Sequence, residues 1–332
     1  MILIFSFCYV GILCDDLQLP DPIGRACIIP QKTERMITAV DCTICRPDEK
    51  LILKEYLCYF MQSPTYYNRL LQNITGTTRK RISRKNLGNV ELAIPEKSIQ
   101  KAVVKNLDAL STIIEARKTE LEELDNLIKA RFVEMFGDPE SNPKEWVKEP
   151  LKDHAEVLVG YPFPSEGYSE EGVDIVGGYN LMQGFIQWDE SKHWPSEKGY
   201  EQYLLQADDI VMAMDRPWVN GGFKIAKVDD SHLPALLIQR TACIRGKGLR
   251  QEFLHTLLDS RGFAEHCNVT GSLVPHISNK DIYSFQVILP PIELQNEFVS
   301  FARQIDKSRF VVQKSLEETQ LLFDSLIQEY FG

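Results

Sequence analysis

Apolar residues recur at alternating spacings of three and four positions in two long stretches of the chain. In the first stretch, where Arg117 keeps the register, these positions are Leu107, Leu110, Ile114, Leu121, Leu124 and Ile128. In the second stretch, where Arg309 and Thr319 keep the register, they are Ile305, Val312, Leu316, Phe323, Leu326 and Tyr330. Neither stretch contains Gly or Pro, so the pattern predicts two long helices, 96–136 and 292–331. Such helices need a partner along their length, and each is the obvious partner of the other.

Between these helices the pattern changes to short apolar runs that are separated by Gly, Pro and Asp. The runs lie in VLVGYPFP, VDIVGGYNLMQGFIQW and DDIVMAMDRPWVNGGFKIAKV. They predict a mixed, strand-rich globular domain. The chain therefore divides into a first domain at 1–95, a long helix at 96–137, a second domain at 138–290 and a second long helix at 291–332.

The second domain and its helix repeat the first in sequence. Residues 73–137 align without a gap with residues 268–332, with 16 identities in 65 pairs. Upstream, EYLCYFMQS (55–63) matches EFLHTLLDS (252–260). One repeat of this length indicates a duplicated domain-plus-helix unit, since a solenoid would have a much shorter period. The first copy has only 95 residues before its helix, so we expect its domain to be incomplete.

The chain begins with an apolar run, MILIFSFCYVGILC. No Lys or Arg precedes this run and no small-residue cleavage pattern follows it, so we interpret it as a strand and not as a secretion signal. At 14 residues this run is too short to span a bilayer, and no other apolar run reaches spanning length, which predicts a cytoplasmic protein. Cys42 and Cys45 form a CxxC without a second ligand pair, so we interpret them as thiols that hold no metal.

The charge distribution points to a local anion-binding surface. The formal net charge of −10 argues against a chain that binds nucleic acid over its whole surface. However, residues 66–90 contain six cations and no acid. These cations, with a glycine and a hydroxyl that can approach phosphate, give the first set of candidate contacts: Arg69, Gly76, Thr77, Arg79, Lys80, Arg81, Arg84 and Lys85. A solvated charged loop is the alternative interpretation.

The second copy has fewer cations at the matching positions. Its Asp215-Arg216-Pro217-Trp218 segment offers a guanidinium, which can read guanine, beside an aromatic ring that can pack on a base or a sugar. A purely structural role for the tryptophan fits the sequence equally well. The candidate contacts of this copy are Asn180, Arg216, Trp218, Arg240, Gly271, Ser272, His276 and Lys280.

Three groups of motifs make the chain resemble the specificity subunits of type I restriction-modification systems. They are the helices that follow LAIP and LPPIELQNEF and close on Phe-Gly, the junction RFVEMFGDP, and the segments VGGYNLMQGFI, DDIVMAMDRPWVNGG and NVTGS. The resemblance implies an α+β protein with two target-recognition domains, each reading one half of a split site in double-stranded DNA. The two helices would form an antiparallel coiled coil that separates the domains.

The same resemblance implies a non-catalytic subunit that works through partners. Methyltransferase subunits would dock on the chain and bind S-adenosylmethionine. A restriction subunit that binds ATP and Mg²⁺ could join the complex. No cofactor is expected in the chain itself.

Alternative functions remain compatible with the sequence. Asp174, Glu190 and Lys192 form a D…ExK arrangement that could serve a Mg²⁺-dependent nuclease. A non-functional fragment, or a recombination donor for a complete subunit, would explain the short first domain. A coiled-coil scaffold without a DNA role would have no need for the run of cations.

Overall fold

The computed structural model describes residues 2–5, of which only the backbone is considered, and residues 23–29, 42–74, 82–219, 222–269 and 275–332. The chain forms two compact units. The first unit comprises residues 1–122 and 310–332, and the second comprises residues 123–309. The two units therefore do not coincide with the two sequence copies, because each long helix contributes to both.

The first unit contains one small sheet and the helices that follow it. The strands are β1 (Ile2–Phe5), β2 (Ala26–Ile28) and β3 (Cys42–Cys45), in the antiparallel order β2-β1-β3. The helices are α1 (Lys54–Phe60), α2 (Pro64–Leu71), α3 (Arg84–Gly88) and the long α4 (Lys97–Phe136). The apolar N-terminal run thus contributes a strand, as the sequence predicts.

The second unit is richer in strands. They are β4 (Lys148–Pro150), β5 (Ala155–Val159), β6 (Val173–Val176), β7 (Lys192–Trp194), β8 (Ile210–Ala213), β9 (Trp218–Val219), β10 (Gly222–Phe223), β11 (Ile225–Lys227), β12 (Ala235–Leu237), β13 (Thr241–Gly246) and β14 (Gln286–Ile288). The helices are α5 (Gln251–Leu258), α6 (Arg261–His266), α7 (Asn279–Ser284) and the long α8 (Ile292–Phe331).

Two sheets organise the second unit. The four-stranded sheet has the antiparallel order β11-β8-β13-β5, and the three-stranded sheet has the order β12-β6-β7 with β12 parallel to β6. The order β2-β1-β3 in the first unit repeats the order β11-β8-β13, and in both cases a helix of the repeated segment follows the last strand in sequence. Two short antiparallel pairs, β14 with β4 and β10 with β9, complete the strands of the described residues.

The two long helices pack against each other in opposite directions. In the first unit, Asn106 Nδ2 near the start of α4 donates a hydrogen bond to Tyr330 Oη near the end of α8, at 3.0 Å. In the second unit, the Phe132 ring near the end of α4 lies 5.4 Å from the Phe298 ring near the start of α8. The predicted antiparallel pairing is therefore confirmed, and the helix bounds differ from the prediction by one residue at the start of α4.

Each long helix ends inside the core of the other sequence copy. Phe136, at the end of α4, is fully buried and its ring lies 4.8 Å from that of Phe253 in α5. Phe331, at the end of α8, lies 5.1 Å from the ring of Tyr56 in α1. Tyr56 and Phe253 occupy the same position in the repeat. The two units are thus completed by the same contact, made by the helix of the opposite copy.

Candidate nucleic-acid interface

Three loops of the second unit converge at one edge of its sheets. Because β6 and β12 are parallel neighbours, the loops that follow them, 177–179 and 238–240, leave the sheet side by side. Because β8 is antiparallel to β13, the loop 214–217 that follows β8 lies beside the start of β13. A Cβ on Gly178 would lie 3.9 Å from the Cβ of Ala213, so the first loop also approaches the end of β8. The sequence segments VGGYN, DRPW and QRTA therefore meet in one place.

The Asp215 carboxylate organises the cations at this edge. It pairs with Arg240 Nη1 at 2.8 Å and with His276 Nδ1 at 2.5 Å, while Asp215 and His276 also form a short backbone bridge. The backbone ties the same segments together, since the Arg216 N–H donates to the Pro275 carbonyl at 3.0 Å. Hydrogen bonds to a charged group are shorter and stronger than neutral ones, so Asp215 fixes the direction of both partners. We call Asp215, Arg216, Arg240 and His276 the Asp215 cluster.

Both arginines of the Asp215 cluster lie on left-handed backbone. The φ angle is 46° at Arg216 and 64° at Arg240. Residues with a side chain adopt this conformation at a cost, and such positions concentrate at functional sites. The Arg240 side chain is 72% exposed. Arg216 is also exposed, and no carboxylate among the described residues lies within ion-pair distance of it. The cluster therefore presents one guanidinium held by an acid and one that is available to a ligand.

The Trp218 side chain packs against protein. Its ring is half-buried and meets the ring of Phe223 edge to face at 4.9 Å, across the β9–β10 pair. This contact agrees with a structural role for Trp218, which is one of the two roles that the sequence leaves open. Its half-exposed part still borders the loop that carries Arg216.

The side chain of Asn180, a predicted DNA contact, lies inside the protein. The side chain is fully buried. Its Oδ1 accepts a hydrogen bond from the Gly177 N–H at 2.9 Å, and its Nδ2 donates to the Ile175 carbonyl and to Ser191 Oγ at 3.1 and 3.0 Å. A buried amide with these three bonds shapes the loop 177–179. Contact of Asn180 with DNA stays a prediction.

The remaining predicted residues of the second copy divide into two groups. Lys280 is exposed on α7, whose first turn is fixed by a capping box between Ser278 and Asp281. Gly271 and Ser272 lie outside the described residues. Lys280 is therefore placed by a rigid helix start that follows the His276 segment closely in sequence.

Sequence reasoning missed two features of this edge. One is the role of Asp215, whose partners are 25 and 61 positions away in the chain. The other is Lys192, whose Nζ lies 5.0 Å from the ring centres of both Tyr168 and Tyr179. Cation–π contacts of this kind hold an ammonium group in a fixed place. The only sequence signal for Lys192 was the D…ExK pattern, which suggested a different chemistry.

The residues of that D…ExK pattern have other partners in the structure. Asp174 Oδ1 lies 3.2 Å from His193 Nε2, and Lys192 is held between the two tyrosine rings. Within the described residues, no group of three His, Cys, Asp or Glu side chains could hold a metal ion. Nothing in the described geometry favours the nuclease alternative. Likewise, no helix of the described part of the chain has both the length and the apolarity needed to cross a bilayer.

In the first unit, the described residues flank the run of cations. Arg84 and Lys85 are exposed in the first turn of α3, and Arg69 Nη1 donates to the Glu91 carbonyl. Asn86 Nδ2 donates to the Asn73 carbonyl at 3.0 Å, which joins the two sides of the segment. The other predicted contacts lie outside the described residues: Gly76, Thr77, Arg79, Lys80 and Arg81.

The described residues form two mixed α/β units, each completed by the end of a long helix, and the strand-end loops of the second unit carry exposed cations. Residues 13–126 match the family model described as the type I restriction modification DNA specificity domain. The chain is 31% identical over 192 residues to the EcoAI specificity subunit of Escherichia coli, which covers 55% of this chain and 32% of that protein. It is 23% identical over 296 residues to the MjaVIII specificity subunit of Methanocaldococcus jannaschii. This alignment covers 84% of this chain and 70% of that protein.

Solved structures agree on the fold. The S subunit of a type I restriction-modification system from M. genitalium superimposes with a TM-score of 0.51 at 17% identity, covering 85% of this chain and 74% of that one. A chain from a study of complex assembly and conformational transition of the type I R-M system gives a TM-score of 0.50 at 15% identity, covering 99% and 80%. The chain is thus similar to type I restriction-modification specificity subunits in a matched segment of its sequence and in its fold. It spans about a third of the length of the E. coli relative.

Proposed function

We propose that this chain is the DNA-recognition subunit of a type I restriction-modification complex. It binds double-stranded DNA at a bipartite site and directs methyltransferase subunits, and a restriction subunit where one is present, to that site. Residues 1–95 and 138–290 act as its two recognition domains, and α4 and α8 act as the spacer between them. The chain itself carries out no catalytic step, and the methyl donor and ATP are bound by its partners.

The observation that carries this proposal is the Asp215 cluster. A guanidinium can donate two parallel hydrogen bonds to the O6 and N7 atoms of guanine in the major groove. Arg216 has the exposure and the free donors for such a contact, and the backbone bond to Pro275 holds its loop in place. Arg240 and His276 lie beside it in directions fixed by Asp215, where they can donate to base edges or phosphates.

The first unit supports the same function with a different balance of contacts. Arg84 and Lys85 are exposed, and no acid lies between residues 66 and 90. Cations without nearby carboxylates favour phosphate contacts, which add affinity but carry little sequence information. The two units would therefore contribute unequally to the choice of sequence.

The experiment that tests this proposal is site selection from random-sequence DNA by the full chain assembled with its methyltransferase partner. We expect a bipartite site to be enriched. Arg216→Ala should weaken binding to that site by about 1–3 kcal/mol and relax the preference at one or two neighbouring base pairs of one half-site. The matched control is Arg261→Ala, which removes the same charge from an 86% exposed side chain on α6. Enrichment of no sequence by the wild-type complex would refute the proposal, and equal effects of the two variants would refute the role of Arg216.

A further inference from the structure

One buried glutamine occurs at the same place in both copies. Gln100 and Gln295 are paired in the gapless alignment, they lie in the first turns of α4 and α8, and their side chains are 0% and 2% exposed. Gln295 Oε1 accepts a hydrogen bond from the Arg250 N–H at 3.0 Å, and its Nε2 donates to the Pro290 carbonyl at 2.9 Å. Each amide thus joins backbone groups that are far apart in the sequence. We call this arrangement the glutamine joint.

The joint in the first unit uses the equivalent backbone atoms. Gln100 Oε1 accepts from the Leu53 N–H at 2.8 Å, and its Nε2 donates to the Pro95 carbonyl at 2.8 Å and to the Leu51 carbonyl at 3.0 Å. Pro95 and Pro290 are themselves a pair in the repeat. Two copies that agree at only 16 of 65 positions therefore build the same buried connection.

The N–H that each glutamine accepts belongs to a helix start. Leu53 and Arg250 are the residues that precede α1 and α5, and neither has a side-chain cap of its own. The first N–H groups of a helix have no partner within the helix. The glutamine supplies that partner from the first turn of the long helix. One side chain therefore ties the start of α1 to α4, and the start of α5 to α8.

In the second unit, a short and rigid segment connects the joint to the Asp215 cluster. Arg240 directly precedes β13, and β13 leads to α5 through a tight turn. In that turn, Gln251 Oε1 accepts from the Gly246 N–H at 2.6 Å, and its Nε2 donates to the Ile244 carbonyl at 3.1 Å. Arg250 Nε adds a bond to Asn296 Oδ1 on α8, at 2.7 Å. A rotation of α5 on α8 would therefore move β13 and Arg240 with it.

The neighbouring connection between the same elements differs between the copies. In the second unit, Arg303 of α8 donates to Glu252 of α5 at 2.6 Å. In the first unit, Asp108 of α4 occupies the place of Arg303 and accepts from the Tyr59 hydroxyl of α1 at 2.6 Å. The contact between these two helices therefore differs between the copies, whereas both copies keep the same glutamine. Buried amide bonds are directional, so an apolar replacement would leave both backbone groups unsatisfied and would no longer fix an angle.

We infer that Gln100 and Gln295 are positioning residues that set the angle at which each recognition domain is held on the long helices. They thereby set the half-site spacing that the protein selects. This inference rests on the proposed function, because it needs a DNA site with two halves. Neither glutamine touches DNA in this scheme, and both act through the helix starts that they cap.

The test measures spacing preference separately from half-site sequence. The full chain with its methyltransferase partner is offered a DNA library in which the two selected half-sites are separated by every spacer from a few base pairs below to a few above the preferred length. Gln295→Leu should leave the selected half-site sequences unchanged, broaden the range of accepted spacers, and lower affinity for the preferred spacer by about tenfold. Gln295→Glu should broaden the range as well, because a buried carboxylate still accepts from the Arg250 N–H but repels the Pro290 carbonyl.

The matched control is Gln304→Leu, which makes the same replacement at an exposed position of α8. It should keep the wild-type spacer profile. Circular dichroism and thermal melting show which variants fold, and the glutamate variant decides the question if the leucine variant does not. Folded Gln295 variants with a wild-type spacer profile would overturn the inference. Failure of the wild-type complex to select any bipartite site would instead overturn the proposed function, and the inference with it.

Discussion

The two units of this protein share their helical packing and differ in their cationic loops. Both units close on a ring contact at the end of one long helix, and both hold a buried glutamine at the start of the other. The cations of the second unit, in contrast, are gathered around one carboxylate, whereas residues 66–90 of the first contain no acid. The packing of the long helices is therefore common to both units. The cationic loops, which we propose to face DNA, differ.

The same contrast appears in one short helix of each unit. Ser83 and Ser278 are paired in the repeat and cap α3 and α7 through a hydrogen bond from the backbone three residues later. Asp281 completes the cap of α7, but Asn86 takes its place in α3. The first copy thus keeps the cap and loses the negative charge. This substitution favours sequence-independent attraction of phosphate at the first unit.

The largest expected effect concerns the shared packing. Phe136→Ala removes a fully buried ring that lies within 5.6 Å of three other rings, so it should lower the free energy of unfolding by about 3–5 kcal/mol. Phe331→Ala should cost somewhat less, because the structure places two described rings near it, at 5.1 and 6.0 Å. Urea denaturation measures both changes. Phe310→Ala, at a position that is 72% exposed, should change stability by no more than about 0.5 kcal/mol. If Phe136→Ala lowers the free energy of unfolding no more than Phe310→Ala does, the end of α4 does not complete the core around α5.

A second expected effect is a pH dependence that belongs to the second unit. Burial raises the pKa of Asp259, at the end of α5, to about 6. An acid with a raised folded-state pKa favours folding below its ordinary pKa, and this contribution is lost as the pH rises through about 6. Asp259→Asn should therefore stabilise the second unit at pH 8 by roughly 1–3 kcal/mol and have little effect near pH 4.

Burial also lowers the pKa of His255, one turn earlier in α5, to about 3. A histidine with a lowered folded-state pKa contributes stability above its ordinary value of 6.5, and this contribution is lost as the pH falls towards 3. Between pH 4 and 6 the two contributions change in opposite directions and largely cancel, so the wild-type protein changes little there and the Asp259 effect is measured with its own variant. Hydrogen exchange followed by peptide mass spectrometry at several pH values separates the units. Equal pH responses of peptides from both units, or no effect of Asp259→Asn at pH 8, would contradict this assignment.

A third expected effect is that Asp215→Asn changes affinity and selectivity in opposite directions. Removal of the charge should strengthen binding to unrelated DNA by a few tenths of a kcal/mol to about 1 kcal/mol, because a carboxylate no longer repels phosphate. Discrimination against single-base changes in one half-site should fall at the same time, since Arg240 and His276 lose the group that orients them. Competition binding with specific and unrelated duplexes measures both. Asp153→Asn, on the turn after β4, is a control with the same change of charge. A uniform gain in affinity with selectivity retained would show that Asp215 orients nothing.

The smallest expected effect concerns the first unit. Arg84→Ala combined with Lys85→Ala should weaken binding to all sequences alike and reduce the slope of log affinity against log salt by about 0.9 per lost phosphate contact. The half-site sequences should not change. The control is Lys101→Ala with Lys105→Ala, which removes the same charge from two exposed lysines on α4, away from α3. Unchanged salt dependence would mean that this end of the cationic run is only solvated.

The sequence predicts the helical part of the fold well, because its signals are local and periodic. The spacing from Leu107 to Ile128 reports a buried helix face, and the absence of Gly and Pro gives the ends of α4 and α8 to within one residue. The repeat predicts two equivalent units for the same reason. The Asp215 cluster is harder to predict, since its ion pairs join side chains that only the sheet topology brings together.

Three residues show what a sequence does not reveal about a polar side chain. Asn180 is among the predicted DNA contacts, yet its amide is hydrogen-bonded within the loop that follows β6. The pair Gln100 and Gln295 is one of the 16 identities in the repeat. Nothing in an amphipathic helix sequence indicates that these two polar side chains are buried. In both cases the decisive fact is the set of backbone groups that lack another partner. That set depends on tertiary structure and is not encoded in any short motif.

The exchange of helix ends also makes the chain equivalent to a dimer whose two subunits happen to be joined by a peptide bond. Phe136 belongs to the first copy but completes the core around Phe253, and Phe331 belongs to the second copy but completes the core around Tyr56. In a domain-swapped dimer, each subunit is finished by an element from its mate. Neither half of this protein is self-sufficient in that sense. A half-length chain would carry an unfilled core and a spare helix end, which are complementary to those of a second identical half.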